Sequence, residues 1–229
     1  MNNKYQAVIF DMDGVVIDTK PGIEAFWQRW ANHKGFTISE KIMDEYIHGC
    51  PVWLTIEKVF PMLIDSELES LMHEIHETEA NLSYHLINGI HDVLVKLSDN
   101  NIPVGLVTSG YLKKVSKVFE ELVLTSFFHQ VVTADMVKQG KPHPEPFLLA
   151  AEKLGVKPAD CVVFEDSISG ITGAAKAGMY PIGINKQSMQ PVLKSVGARY
   201  VVPDFTVIDF VNSNASRHIS IHKSNVLAF

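Results

Sequence analysis

Two aspartates one residue apart, Asp11 and Asp13, stand directly after an apolar run that reaches Phe10 and directly before Gly14. Residues 5–10 read as a short buried strand, because the run is apolar and ends abruptly. At the end of such a strand the two carboxylates can leave the sheet side by side, and a glycine lets the backbone turn sharply. Carboxylates held that close repel, and a pKa rises unless a cation lies between them. A hard divalent ion such as Mg2+, held by one or two carboxylates and by substrate phosphate, answers that need. The plain alternative is a polar turn after a strand, and residues farther along the chain weigh against it.

Three more polar clusters follow apolar runs. Thr108 and Ser109 come after residues 102–107, Lys141 sits in the loop Gly140-Lys141-Pro142, and Glu165 and Asp166 come after residues 161–164. Each has an ordinary reading: a helix cap, a solvated lysine, or acids favouring a helix N-terminus. In an open α/β sheet, however, ligands bind outside the carboxyl ends of the strands. Gathered there, these residues describe a site with acids and a metal on one side and a lysine and hydroxyl donors on the other. Phosphoryl transfer requires in-line attack and neutralisation of the oxygens' charge. Asp11 is placed to attack phosphorus and form an aspartyl-phosphate. Mg2+ and Lys141 supply the counter-charge. Thr108, with the backbone N–H groups near Ser109 and Gly110, can hold phosphate oxygens at a helix start. Asp13 can protonate the leaving oxygen and then deprotonate the hydrolytic water. Asp166 completes the set of metal ligands with Asp11 and Asp13, and Glu165 acts through water or from behind them.

The elements that must position these groups alternate. Thr19-Lys20-Pro21-Gly22 reads as a helix start, and Ile23, Phe26, Trp27 and Trp30 follow at helical spacing. Further helices are expected from Ser39 to about His48, over residues 51–60 and over residues 65–80. The last of these carries the stripe Ile64, Leu68, Leu71, Met72 and Ile75. No strand signal appears between Thr19 and about Leu86. Helices are then expected over residues 90–97, 112–122, 147–154 and 168–177, alternating with strands over 102–107, 130–133, 161–164, 181–184 and 200–202. Strands alternating with helices imply an α/β fold, a doubly wound parallel sheet. Its core is expected over residues 1–18 and 87–229, with an inserted helical domain over residues 19–86. In the tail, His218-Ile219-Ser220-Ile221 alternates as an edge strand would, and residues 212–229 carry no functional signal.

The four clusters, Asp11-Met12-Asp13-Gly14-Val15, Thr108-Ser109-Gly110, Gly140-Lys141-Pro142 and Glu165-Asp166, resemble in order and spacing the signature motifs of the haloacid dehalogenase-like hydrolase superfamily. The resemblance covers roughly residues 5–203. It implies the roles just given, a second Mg2+ contact from the backbone carbonyl of Asp13, and a small helical cap over residues 19–86. Asp13 argues for phosphate chemistry, because the dehalogenases of the superfamily lack that aspartate. Residues 23–27, 47–49 and 137–146 are similar to the beta-phosphoglucomutase-like branch, above all to its sugar and polyol phosphate phosphatases, such as those for glycerol 3-phosphate and 2-deoxyglucose 6-phosphate. The mutases of that branch carry a histidine where this chain has Ile23, and a cap arginine near position 49 where His48-Gly49-Cys50-Pro51-Val52-Trp53 has none. The resemblance therefore implies a Mg2+-dependent phosphatase acting on a small phosphorylated sugar or polyol, with a beta-phosphoglucomutase-type isomerase as the alternative. The cap should close over the site. His48 and Trp53 are the candidate cap contacts to substrate, with Trp53 able to stack on a sugar face or fill a core.

Composition sets the remaining expectations. The 229 residues are 46% hydrophobic and 20% charged, with a net charge of −6. That balance is ordinarily globular, and no basic run suggests nucleic acid. No leader-like segment opens the chain, and no apolar run approaches a membrane span of about 18 residues. A cytoplasmic monomer is expected. Cys50 and Cys161 are too few for a disulfide framework, and neither has the partners of a nucleophile. The pair His73 and His76 lies three apart on a helix, where a zinc protease motif would need position 77, which is Glu77.

Overall fold

The computed structural model of the chain describes residues 5–81, 83–213, 216–221 and 225–228. Six parallel strands form its centre: β1 (Ala7–Phe10), β2 (Val104–Val107), β3 (Gln130–Val132), β4 (Cys161–Glu165), β5 (Tyr180–Ile184) and β6 (Tyr200–Val202), in the order β3-β2-β1-β4-β5-β6. β1 lies between β2 and β4, and Phe10 is in register with both Leu106 and Phe164. The residues just past those positions, Asp11, Val107 and Glu165, are thereby level at one edge of the sheet. β1, β2 and β4 are buried along their whole length. This explains why they read as unbroken apolar runs rather than alternating ones.

Helices cover both faces of the sheet, as the alternating pattern leads one to expect. The inserted block comprises α1 (Lys20–His33), α2 (Glu40–Tyr46), α3 (Val52–Val59) and α4 (Asp65–Asn81); α5 (Ile90–Asp99), α6 (Leu112–Glu121), α7 (Glu145–Leu154), α8 (Ile168–Lys176) and α9 (Gln190–Ser195) follow. Val8 and Phe10 face one core with Val93 and Leu97 of α5 and Val118 of α6. Ala7 and Ile9 face the other, with Phe147 and Ala150 of α7 and Ala174 of α8. The period of two in β1 sends successive side chains to these two cores. Gly155 ends α7 with φ +71°, a conformation that glycine adopts without a Cβ penalty.

α1 to α4 bury a cluster of their own, including Phe26, Trp27, Trp30, Met43, Phe60 and Leu71. Ser39 caps α2 by accepting from the Ile42 N–H at 3.4 Å. The Trp30 indole donates to Glu74 at 3.1 Å and joins α1 to α4. Leu71 carries the buried face of α4 as the stripe predicts, but Ile64 is 63% exposed. Ile64 precedes the helix, and its carbonyl accepts from the Glu67 and Leu68 N–H groups at the first turn. Among the described residues no helix is long and apolar enough to cross a membrane.

The chain after β6 corrects the sequence reading. β7 (Ile208–Ser213), β8 (Ser216–Ile221) and β9 (Asn225–Ala228) form an antiparallel sheet in that order. Residues 218–221 therefore belong to the central strand of this sheet, not to an edge.

Candidate active site

Lys141 is the hub at the carboxyl edge of the sheet. Its residue is 2% exposed, although a lysine in a proline-rich loop reads as solvated. Its ammonium donates to Asp11 Oδ1 at 2.5 Å, to Glu165 Oε1 at 2.6 Å and to the Val107 carbonyl at 3.0 Å. All three donor hydrogens are thus committed to groups at the ends of β1, β2 and β4. Glu165 Oε2 accepts from the Ser167 N–H and hydroxyl, both at 2.9 Å. Gly170 makes room for this carboxylate, since a Cβ there would stand 1.7 Å from Glu165 Oε1.

Two further lysines, unmarked by any sequence motif, complete the ion pairs. Lys114, from α6, donates to both oxygens of Asp13 at 2.8 and 2.9 Å, and the Thr19 hydroxyl donates to Asp13 Oδ1 at 2.7 Å. Lys20, the first residue of α1, lies 2.7 Å from Asp166 Oδ2. The sequence signal for Lys20 is its place: a cation in a helix's first turn opposes the macrodipole, and that turn holds no acid. Lys114, the third residue of α6, stands in a first turn that likewise holds no acid.

Electrostatics follow from burial. Burial pushes the Asp11 carboxyl well above its usual range; Lys141 opposes the rise, and Glu165 and Asp166 add to it. Asp166 is raised for the same first reason, with Lys20 opposing. Burial alone would lower the Lys141 pKa, but Asp11 and Glu165 outweigh it and hold the ammonium above the ordinary lysine value. The carboxylates are therefore short of positive charge. One atom each of Asp11, Glu165 and Asp166 lie within 4.8 Å of one another, and Asp166 Oδ1 is buried with no hydrogen-bond partner. Clustered hard oxygens, with an orphaned oxygen on one of the three carboxylates, fit a hard divalent cation such as Mg2+. Asp11 and Asp166, two of the expected metal ligands, are in this cluster together with Glu165; the Asp13 carboxylate accepts from Thr19 and Lys114.

A cavity of about 140 Å³ lies between the sheet edge and the helical block. Asp11, Asp13, Thr108, Ser109 and Lys114 line the sheet side, while Ile23, Phe26, Trp27, Gly49, Cys50 and Val52 contribute to the opposite wall. Thr108 is buried, and its hydroxyl accepts from the Gly110 N–H at 3.0 Å. The Gly49 carbonyl accepts from Ser109 Oγ at 3.3 Å and Ser169 Oγ at 2.9 Å, docking the loop of the helical block onto the sheet edge. His48 and Trp53 are not brought to the cavity wall. His48 is buried beside Glu24 at 3.1 Å, and Trp53 is 63% exposed, in neither cavity nor core.

Cys50 reaches the cavity, but burial pushes its thiol up to about 11, so it is protonated near neutrality. Cys161 is fully buried in β4, as a small core residue should be. His73 is paired with Glu77 on the exposed face of α4 at 3.4 Å; the His76 side chain lies outside the described residues.

Residues 8–184 match a family model described as haloacid dehalogenase-like hydrolase. The chain is 32% identical over 189 residues to the fructose-1-phosphate phosphatase of Escherichia coli, spanning 80% of this chain and 98% of that protein. It is 31% identical over 226 residues to glycerol-1-phosphate phosphohydrolase 2 of Saccharomyces cerevisiae, spanning 93% and 87% of the two chains. The crystal structure of beta-phosphoglucomutase from Clostridium difficile superposes with a TM-score of 0.70 at 26% identity, covering 87% of this chain and 91% of that one.

Proposed function

Because the chain belongs to the haloacid dehalogenase-like hydrolases, we propose that it is a Mg2+-dependent phosphatase that hydrolyses a small sugar or polyol phosphate through an aspartyl-phosphate on Asp11. The observation that carries the reading is Asp11 itself, at the cavity floor with Lys141 2.5 Å from Oδ1. Lys141 fixes one oxygen and leaves Oδ2 to attack phosphorus. The Oδ2–P bond forms as the bond from phosphorus to the substrate oxygen breaks, and Asp13 gives its proton to that oxygen. A water then attacks the aspartyl-phosphate, Asp13 takes the water's proton, and Asp11 is released with inorganic phosphate. Thr108 and Ser109, beside both aspartates on the cavity wall, hold the phosphoryl oxygens. Asp11, Asp166 and the backbone carbonyl of Asp13 would hold Mg2+, with Glu165 locked behind them by Lys141 and Ser167. When bound, Mg2+ supplies charge neutralisation at the phosphoryl group.

Residues 1–18 and 87–229 act as the catalytic domain and residues 19–86 as a cap. The boundary is supported by the two crossing segments, which lie side by side: the Asp18 N–H donates to the His85 carbonyl at 2.9 Å, and the Ile87 N–H to the Val16 carbonyl at 3.0 Å. The apolar cap wall suits a small leaving group. A mutase must also hold a second phosphate, and among the described lining residues the cap offers no cation, with Ile23 on the wall. That favours hydrolysis over the beta-phosphoglucomutase-type alternative. We read the protein as a cytoplasmic monomer that works on small molecules; its net charge of −6 and the lack of a basic run weigh against a nucleic-acid partner.

Asp11→Asn tests the assignment. It removes the nucleophile and keeps the side chain's shape. Turnover should fall by about three orders of magnitude or more, with an unchanged circular dichroism spectrum. Substantial activity in the folded variant would sink Asp11 as the nucleophile.

A further inference from the structure

Lys20 takes no part in the proposed steps, yet its surroundings are built around it. It opens α1, where a cation opposes the helix dipole and no acidic neighbour in the first turn offsets it. Its partner is instead Asp166, at 2.7 Å, with side chains 25% and 3% exposed respectively. Gly14 leaves space for the pair: a Cβ there would stand 2.3 Å from Asp166 Oδ2 and 2.9 Å from Lys20 Cε. The preceding residue, Thr19, makes no side-chain cap to its own helix and donates its hydroxyl to Asp13. The start of the first cap helix is thus docked on two carboxylates of the site.

We infer that Lys20 is a resident counter-ion of the carboxylate cluster, with which a divalent cation must compete for Asp166. The inference rests on the proposed metal-binding reading of that cluster. Asp166 offers two oxygens: Lys20 pairs with Oδ2, and Oδ1 is buried without a hydrogen-bond partner, while one oxygen of this carboxylate lies within 4.8 Å of one each of Asp11 and Glu165. A divalent cation that uses Asp166 meets the ammonium's repulsion or displaces it. In either case the lysine weakens metal binding, because like charges a few ångströms apart repel even where the effective dielectric constant is about 20. The side chain is a quarter exposed, so it has a route toward solvent. Lys20 belongs to α1, so metal loading and the seating of the cap helix are linked.

The test is calorimetric titration of Mg2+ into the metal-free, full-length protein, without substrate. Lys20→Met and Lys20→Gln should each bind Mg2+ about tenfold more tightly than the wild type, a difference of about 1.4 kcal/mol. Lys20→Arg, which keeps the charge, should stay within about twofold of the wild type. Circular dichroism checks that each variant is folded, and either neutral variant suffices if the other is not. Unchanged or weaker binding in a folded neutral variant would overturn the inference and make Lys20 a residue that positions Asp166 for the metal. Tighter binding in Lys20→Arg would also overturn it. Failure of the wild type and all variants to bind Mg2+ would remove the metal-binding reading itself, whereas wild-type binding without tightening removes only the role of Lys20.

Discussion

At the scale of single residues, the proposed chemistry rests on Asp11, Asp13, Asp166 and Lys141. Lys141 pairs with Asp11 and Glu165 at once, from a position that is all but sealed from water. Removing one member of a buried charge network leaves the others uncompensated, a cost of about 3–5 kcal/mol. Lys141→Met should therefore abolish phosphate release and also lower unfolding stability in urea by about that amount. A variant as stable as the wild type would mean that the three groups are not a coupled unit. The acids are legible in the sequence, because two aspartates set side by side after an apolar run repel unless a cation joins them. Lys20 and Lys114 are marked there only by their place in a first helical turn without an acid, which names no partner. A lysine on a helix normally extends into water, and only the fold turns these two toward Asp166 and Asp13.

At the scale of elements, the parallel register of β1, β2 and β4 does the positioning. It sets Asp11 level with Val107 and Glu165, so Lys141, arriving from the loop before α7, can bridge all three. The start of α8 fixes the far side of Glu165: Ser167 donates to its carboxylate, and the Gly170 N–H donates to Ser167 Oγ at 3.0 Å. Gly170 has to be small for that packing. Gly170→Ala should destabilise the protein by about 1–3 kcal/mol through overpacking and lower turnover, because Glu165 and then Lys141 would shift. Thermal unfolding and phosphate release measured together check this, and wild-type values for both would contradict it. The strands of the main sheet are legible from uninterrupted apolar runs bounded by turns. The place of β8 is not, because alternation over residues 218–221 fixes a strand but not its neighbours, and the pairing of β7 and β9 on either side is a tertiary fact. α9 spans only Gln190–Ser195, too short to show a period.

At the scale of the whole molecule, the cavity between cap and sheet sets what can react. The sheet side brings aspartates, hydroxyls and Lys114, while the described residues on the cap wall are mainly apolar. The general class of chemistry is legible in the sequence, since motifs at strand ends report a site directly. The cap wall is not, because which loop residues face the cavity depends on how α1, α2 and α3 pack. Gly49, Cys50 and Val52 face it, and His48 and Trp53 do not. The most direct test of the proposed activity is phosphate release, with Mg2+, from a panel of glycerol phosphates, hexose 6-phosphates, 2-deoxyglucose 6-phosphate, fructose 1-phosphate, glucose 1-phosphate, phosphoglycolate and nucleoside monophosphates. Release is expected from one or a few of the sugar or polyol phosphates, lost on chelation and restored by added Mg2+. Conversion of glucose 1-phosphate to glucose 6-phosphate without phosphate release would contradict it.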